Sequence, residues 1–325
     1  MKRALGWTAF GAGVLFVFLV WLCFGIAVAM GRPKPIAYGN RLMPADHDAE
    51  SVRIAVFGDT QKGIAAFAEL AARAKSQLVD LAVHTGDLVS HADTGHYDLA
   101  LTWVGRAHLG VPFVVAPGNH DLKGNVALFQ ERIGPRQLGW RWGPVDLVVA
   151  DNGLGPPDEA SVERLLAAAK RPILLFLHVP PFEESGGAYI PKPAYKSFLE
   201  MLRKYPVRYV FSGHAHAYRR FVHEGTVFIA NGVGGDSDSW QFNQPAYLTI
   251  VEATPEGVTD RAITIEPRIG FWANVEHLAV GHVGEILFRR FWGLPSLLLA
   301  MAFLILGWRK LVRRVPEQTQ SIGIQ

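Results

Sequence analysis

Five short apolar runs in this chain each stop on a polar turn that carries a carboxylate, an amide or an imidazole. Arg53–Phe57 closes on Gly58-Asp59-Thr60-Gln61, Leu78–His84 on Thr85-Gly86-Asp87, and Val111–Ala116 on Pro117-Gly118-Asn119-His120-Asp121. Pro172–Leu177 closes on His178-Val179-Pro180-Pro181, and Val207–Phe211 leads into Gly213-His214-Ala215-His216. Runs of this length, apolar and bounded by Gly or Pro, predict buried strands. Ala65–Ala74, Tyr97–Leu109 and Glu159–Ala169, the last with Asp158 near its cap, predict helices between them. A further helix is expected from about Asn125, and Leu138–Trp142 with Val145–Ala150 read as a hairpin about Gly143-Pro144. Phe221–His223, Val227–Ala230, Tyr247–Val251 and Arg261–Ile265 predict short strands that finish the domain. Strands alternating with helices imply a layered α/β fold whose site lies at the carboxyl ends of the strands.

The ends of the chain are of another kind. No charged residue occurs among the 28 residues from Ala4 to Gly31, which at 1.5 Å each reach about 40 Å, enough to cross a bilayer with some tilt. Ala27-Val28-Ala29 resembles a cleavage site, so the segment is a span or a signal sequence, and its length favours an uncleaved anchor. Phe291–Trp308 is a second uncharged run, of minimal spanning length, with Trp292 and Trp308 suited to the two interfaces. Residues 32–50 read as a linker, 51–270 as the folded domain, 271–290 as a connector or amphipathic helix, and 309–325 as a basic tail. Arg309, Lys310, Arg313 and Arg314 place that tail in the cytoplasm and, with two spans, the domain on the other side of the cell membrane. Because much of the net charge of +3 sits in these flanks, it does not indicate a nucleic-acid surface. The only cysteine, Cys23, lies inside the first apolar run, so any metal must be held by nitrogen and oxygen ligands.

Taken singly, each strand-end residue has an ordinary explanation: Asp59 or Asp87 as a helix cap, Asn119-His120-Asp121 as a capped turn, His178 as a satisfied buried imidazole. Taken together they do not. Burying so many unpaired polar groups at one edge costs several kcal/mol, and a pair of cations removes that cost. Two carboxylates, three imidazoles and two amide oxygens suit divalent Mn, Fe, Zn or Co. A bridging carboxylate is needed between ions about 3.5–4 Å apart, and Asp87, on the central strand, is placed for it.

The order D-x-Q, G-D, G-N-H-D, H, G-H-x-H resembles the calcineurin-like metallophosphoesterase family over roughly residues 52–266. The resemblance implies a four-layer α/β/β/α sandwich of two mixed sheets, here flanked by the two membrane helices. It implies that Asp59, Gln61 and His216 hold one ion and Asn119, His178 and His214 the other, with Asp87 between them. His120 would sit beside the substrate phosphate, and Asp121 is expected to orient its ring. Two departures stand out: Gln61 occupies a position where histidine is commoner, and Ser90 occupies the position of the tyrosine ligand of purple acid phosphatases, which the block Gly213–Arg220 otherwise resembles. A purple Fe(III)-tyrosinate centre is therefore not expected.

The expected activity is hydrolysis of phosphate mono- or diesters by in-line attack of a hydroxide bridging the ions. Tethering at both ends suggests a lipid-linked or cell-envelope phosphorylated substrate and the bilayer as partner, with no nucleic acid. The alternative is a silent module that binds a phosphorylated ligand or a membrane partner. Ser185–Tyr189 and Gly232–Ser237 read as glycine-rich loops that wall the site or merely connect, and Trp240 and Phe242 as an apolar wall or as core.

Overall fold

The computed structural model describes residues 39–42, 46–61, 63–232 and 245–266, with a few positions between 11 and 18. The strands and helices placed below fall within one compact unit, Arg32–His282. Strand β2 (Val52–Phe57) leads to helix α1 (Ile64–Ser76), β3 (Leu81–His84) to α2 (Thr94–Ala107), and β4 (Phe113–Val115) to a single helical turn, α3 (Asn119–Leu122), then α4 (Val126–Arg132). The hairpin β5 (Leu138–Trp142) and β6 (Val145–Val149) precedes α5 (Glu159–Ala168), β7 (Ile173–Phe176) and the hairpin β8 (Phe182–Ser185) and β9 (Ala188–Pro191). Helix α6 (Lys196–Leu202), β10 (Val207–Ser212), β11 (Tyr218–His223), β12 (Thr226–Asn231), β13 (Ala246–Thr254) and β14 (Gly257–Ile265) complete it.

The strands form a five-stranded sheet, β14-β13-β2-β3-β4, and a seven-stranded sheet, β1-β5-β6-β7-β10-β12-β11, where β1 is Asp46–His47. Both are mixed: β2, β3 and β4 run parallel while β13 is antiparallel to β2, and β6, β7, β10 and β12 run parallel while β11 reverses. Strand alternation sorts the side chains. From β2, Val52, Ile54 and Val56 enter a core shared with Leu147, Phe176 and Phe211 of the other sheet. Ala55 and Phe57 face the opposite way, against Phe67 and Leu70 of α1. On the far side, Val148, Leu175 and Val210 pack under α5 and α6 with Val162 and Phe198. Each fully buried Leu, Ile or Phe stabilises by about 1.5–3 kcal/mol, and the three cores make the four expected layers.

Two stretches differ from expectation. Part of residues 32–50, read as a linker, is built into the domain: β1 pairs with β5, and the buried Asn40 amide exchanges two 2.9 Å hydrogen bonds with the Val115 backbone on the open edge of β4. A polar side chain here does the work of a neighbouring strand. Residues 185–189, read as a loop, are the tip of the β8–β9 hairpin, turned at Gly186 and Gly187 with φ of 59° and 81°. Among the described residues no helix is long and apolar enough to cross a membrane. The spans expected at 4–31 and 291–308, the connector, the tail, and Trp240 and Phe242 lie outside the described residues, apart from helical positions between 11 and 18.

Candidate metal centre

Register brings the polar turns to one edge. Phe57 of β2 pairs with His84 of β3, and His84 with Val115 of β4, so these three strands end level and their turns follow together. In the other sheet Phe211 pairs with Phe176, and Phe176 with Val149. The turns are tight: Asp59, Gln61, Asp87, His214 and His216 all adopt left-handed backbone conformations, φ 37–66°. That region is costly for residues with a Cβ and persists where surrounding structure over-determines it. The Asp59 N–H donates to Gly86 O at 2.9 Å and the Gln61 N–H to Asp87 O at 3.1 Å, locking one turn against the next.

The donor atoms converge in two groups. Asn119 Oδ1 lies 3.0 Å from His178 Nε2 and 2.9 Å from His214 Nδ1, and those two nitrogens are 3.3 Å apart. His178 donates its Nδ1–H to Thr85 O at 2.9 Å, which leaves the Nε2 lone pair to face a cation. Asp59 Oδ1 lies 3.4 Å from His216 Nε2, and the Gln61 Nε2–H donates to Asp87 Oδ2 at 3.4 Å, which sets that amide beside the carboxylate. Asp87 Oδ2 is also 3.4 Å from His178 Nε2, so one carboxylate oxygen touches both groups. Atoms that share a cation at about 2.0–2.2 Å stand about 3 Å from one another, which is the spacing seen here. Asp59, Asp87 and His178 are all buried and offer ligand atoms within 4.8 Å of one another. The residues present therefore fit a pair of divalent cations.

The charges point the same way. Burial pushes the Asp59 carboxyl up. Burial also opposes charge on Asp87, yet the hydrogen bond from His178 and the charges of His178 and His120 hold it below the usual carboxylate range. Burial opposes charge on His178 as well, but Asp87 and Asp59 draw it up to about 9. His214 is held down to about 4 by burial and by the charge of His178. Lone pairs and carboxylates packed this closely call for positive charge among them, which a proton on His178 or bound cations supply.

Close approach is enforced by glycine. A Cβ on Gly86, at φ +100°, would come within 2.5 Å of His178 Nδ1, and one on Gly213 would collide with Asp59 Oδ2. His214 N–H donates to both Asp59 oxygens at 3.0 Å, tying the last turn to the first across the sandwich.

The expected pairing of Asp121 with the His120 ring is corrected by the structure. Neighbouring residues of a helical turn point in different directions, and Asp121 instead accepts the backbone N–H groups of Asp87 (2.8 Å), Gly118 (2.9 Å) and Val89 (3.0 Å). Burial and the charge of Asp87 push its carboxyl up to about 7. The His120 ring is held by Ser90, whose carbonyl lies 2.8 Å from Nδ1, while the His120 N–H donates to Asp87 Oδ1 at 2.8 Å. A residue not singled out from the sequence, Asn152, accepts the N–H groups of His178 and Val179 at 2.8 and 3.0 Å and returns a 2.8 Å bond to Val179 O. It follows the apolar run Val145–Ala150 in a polar turn at the same sheet edge, a signal that could have found it.

Residues 52–218 match the family model described as calcineurin-like phosphoesterase. Among solved structures, the chain is similar to a dimetal phosphatase from Danio rerio at 12% identity and TM-score 0.52, covering 67% of this chain and 99% of that one. A purple acid phosphatase from yellow lupin seeds gives 15% identity and TM-score 0.54, over 69% and 55% of the two chains. The anchor in the inner membrane complex of Plasmodium gives 15% and 0.51, over 71% and 95%. Identities this low show a shared fold. No curated protein matches the sequence.

Proposed function

The chain belongs to the calcineurin-like phosphoesterase family, metal-dependent hydrolases of phosphoric esters, and on that premise we propose that it cleaves phosphate mono- or diesters at the strand-end centre. In this reading Asp59, Gln61 and His216 hold one divalent ion, Asn119, His178 and His214 the other, and Asp87 both; Mn, Fe and Zn suit the donors. The observation that carries it is the position of Asp87, whose Oδ2 lies 3.4 Å from His178 Nε2 and which, with Asp59 and His178, offers ligand atoms within 4.8 Å of one another. When bound, ions of this kind would lower the pKa of water and neutralise negative charge on the phosphoryl oxygens. His120 has its Nδ1 committed to Ser90, so its Nε2 is the atom available to a phosphoryl or leaving oxygen. Asp121 positions the centre by holding the Asp87 and Gly118 backbones rather than by touching substrate.

The same proposal places the domain on the non-cytoplasmic side of the cell membrane, between anchors at 4–31 and 291–308, with a lipid-linked or envelope phosphate ester as substrate and no nucleic acid. Its support is the two uncharged runs and the basic tail, together with the exposed Val14, Leu15, Phe16 and Phe18. Protease digestion of sealed cells tests it: cleavage within 51–270 without lysis is expected, and protection of that domain would reverse the orientation. The activity is tested on the full chain in detergent, loaded in turn with Mn, Fe or Zn and given aryl and bis-aryl phosphates. His120→Ala is expected to cut turnover by about 100-fold or more while metal content stays at the parent value; unchanged hydrolysis would remove His120 from the chemistry.

A further inference from the structure

A cavity of about 240 Å³ lies under the β8–β9 hairpin, against the strands that deliver the imidazole ligands. Its walls are aromatic. Tyr189 stacks on Phe221 with ring centroids 3.9 Å apart and planes 5° from parallel, and Phe182 meets Phe221 and Phe228 edge-on at 5.1 and 4.9 Å. Its lining includes Pro180, two residues past His178, and Ala215, the residue between His214 and His216. Consecutive Cα atoms are about 3.8 Å apart, so the cavity adjoins the turns from which three candidate ligands enter the centre.

Charge at the rim is self-compensated, since Arg219 Nε and Glu184 Oε2 pair at 2.6 Å and pin the hairpin to β11. The cavity therefore offers no free cation to a phosphoryl group, but it offers aromatic faces and alkyl surface to an uncharged one. Size narrows the occupant. A dry cavity of about 150 Å³ holds benzene, so 240 Å³ takes one substituted ring, a fused pair of rings or a short branched alkyl group, and is too small for a whole lipid chain.

We propose that this cavity seats the apolar leaving group of the ester, which makes the enzyme selective for aryl or short branched-alkyl phosphates. The inference rests on the hydrolase reading above and narrows its substrate class, away from a lipid-linked ester and toward an envelope ester of a small apolar alcohol or phenol. In the reaction water supplies the new oxygen on phosphorus, the P–O bond to the seated group breaks, and that group departs as its phenol or alcohol after taking up a proton.

The test uses the full metal-loaded chain in detergent with 1-naphthyl phosphate and methyl phosphate. Ala217→Phe, which fills the cavity from its wall, is expected to lower the ratio of kcat/KM for the naphthyl over the methyl ester by at least about tenfold relative to the parent. Taking the ratio cancels differences in leaving-group reactivity and in metal loading. A ratio within twofold of the parent overturns the proposal. Binding of 1-naphthol, followed by its fluorescence, gives a readout that needs no catalysis: saturable binding to the parent, weakened at least about tenfold in Ala217→Phe and in Ala230→Leu, is expected. Absence of saturable binding to the parent overturns the cavity assignment even if both esters are hydrolysed. Conversely, naphthol binding without hydrolysis of either ester would refute the hydrolase reading and leave the cavity as an apolar site.

Discussion

The two sheets contribute unlike halves to the centre. The five-stranded sheet supplies oxygen and amide donors, Asp59, Gln61, Asp87 and Asn119, while the seven-stranded sheet supplies the imidazoles His178, His214 and His216. Left-handed turns serve both sides, but on the first the backbone is also held by Asp121, which gathers N–H groups from both the Asp87 and the Gly118 turns. On the second side His178 is fixed by side-chain and carbonyl partners, Asn152 on its backbone and Thr85 O on its ring. Short carboxylates must be brought to the ions by the chain itself, whereas a ring on a longer arm has to be aimed by what it donates to. The two halves should therefore fail differently when altered.

The largest effect is expected at the one residue common to both. Asp87→Asn keeps the shape and the bond from the His120 N–H but removes the negative charge between the donor groups. It should release both ions and lower turnover by at least about 1,000-fold, about 4 kcal/mol in the barrier, measured as metal content and aryl phosphate hydrolysis. If one ion stayed bound at parental affinity, the carboxylate would belong to a single half and the comparison would fail. A smaller and one-sided effect is expected from Asn152→Ala, which frees the His178 and Val179 N–H groups. Calorimetric titration should then show one ion weakened by about 100-fold and the other nearly unchanged. Equal weakening of both would mean that the halves are coupled rather than separately supported.

What could be read from the sequence follows the same division. The five turns were legible because an apolar run that ends in a short polar turn, mostly beside glycine, is a local signal, and each donor sits inside one. Asn152 sits in such a turn too, after Val145–Ala150, but its role was not legible because the groups it clamps, His178 and Val179, lie 26 and 27 residues away. Ser90 acts on His120 through a carbonyl, and backbone atoms leave no trace in residue identity. Asp121 was misplaced because adjacency in sequence suggested contact with His120, whereas a helical turn separates neighbours by about 100°. Strand β8, Phe-Glu-Glu-Ser, is too polar to be told from a loop, and its burial pattern confirms that only Phe182 faces inward. Asn40 and β1 lacked any apolar period, since one works by an amide and the other is two residues long.

The smallest expected effect belongs to a buried support of the five-stranded half and is read by acid. Beneath the Asp87 turn His84 is fully buried at the end of β3, its Nε2 3.0 Å from Thr60 Oγ1 and its ring set edge-on to Phe57. Burial holds its pKa down to about 3, against 6.5 for the free group. A depressed histidine favours folding while neutral in both states, so its contribution is complete above about pH 6.5 and is lost as pH falls toward 3. From pH 7 to pH 5 that loss amounts to about 2 kcal/mol. The corresponding support on the other side, Asn152, does not titrate. His84→Gln can keep a hydrogen bond to Thr60 but takes up no proton, so its urea midpoint in the metal-stripped full chain should fall less between pH 7 and 5 than that of the parent. Metal removal is needed because proton competition for the ligands would otherwise dominate. Parallel losses in the two proteins would show that His84 admits its proton without unfolding, and that the acid sensitivity lies with other depressed groups, Asp87 and His214.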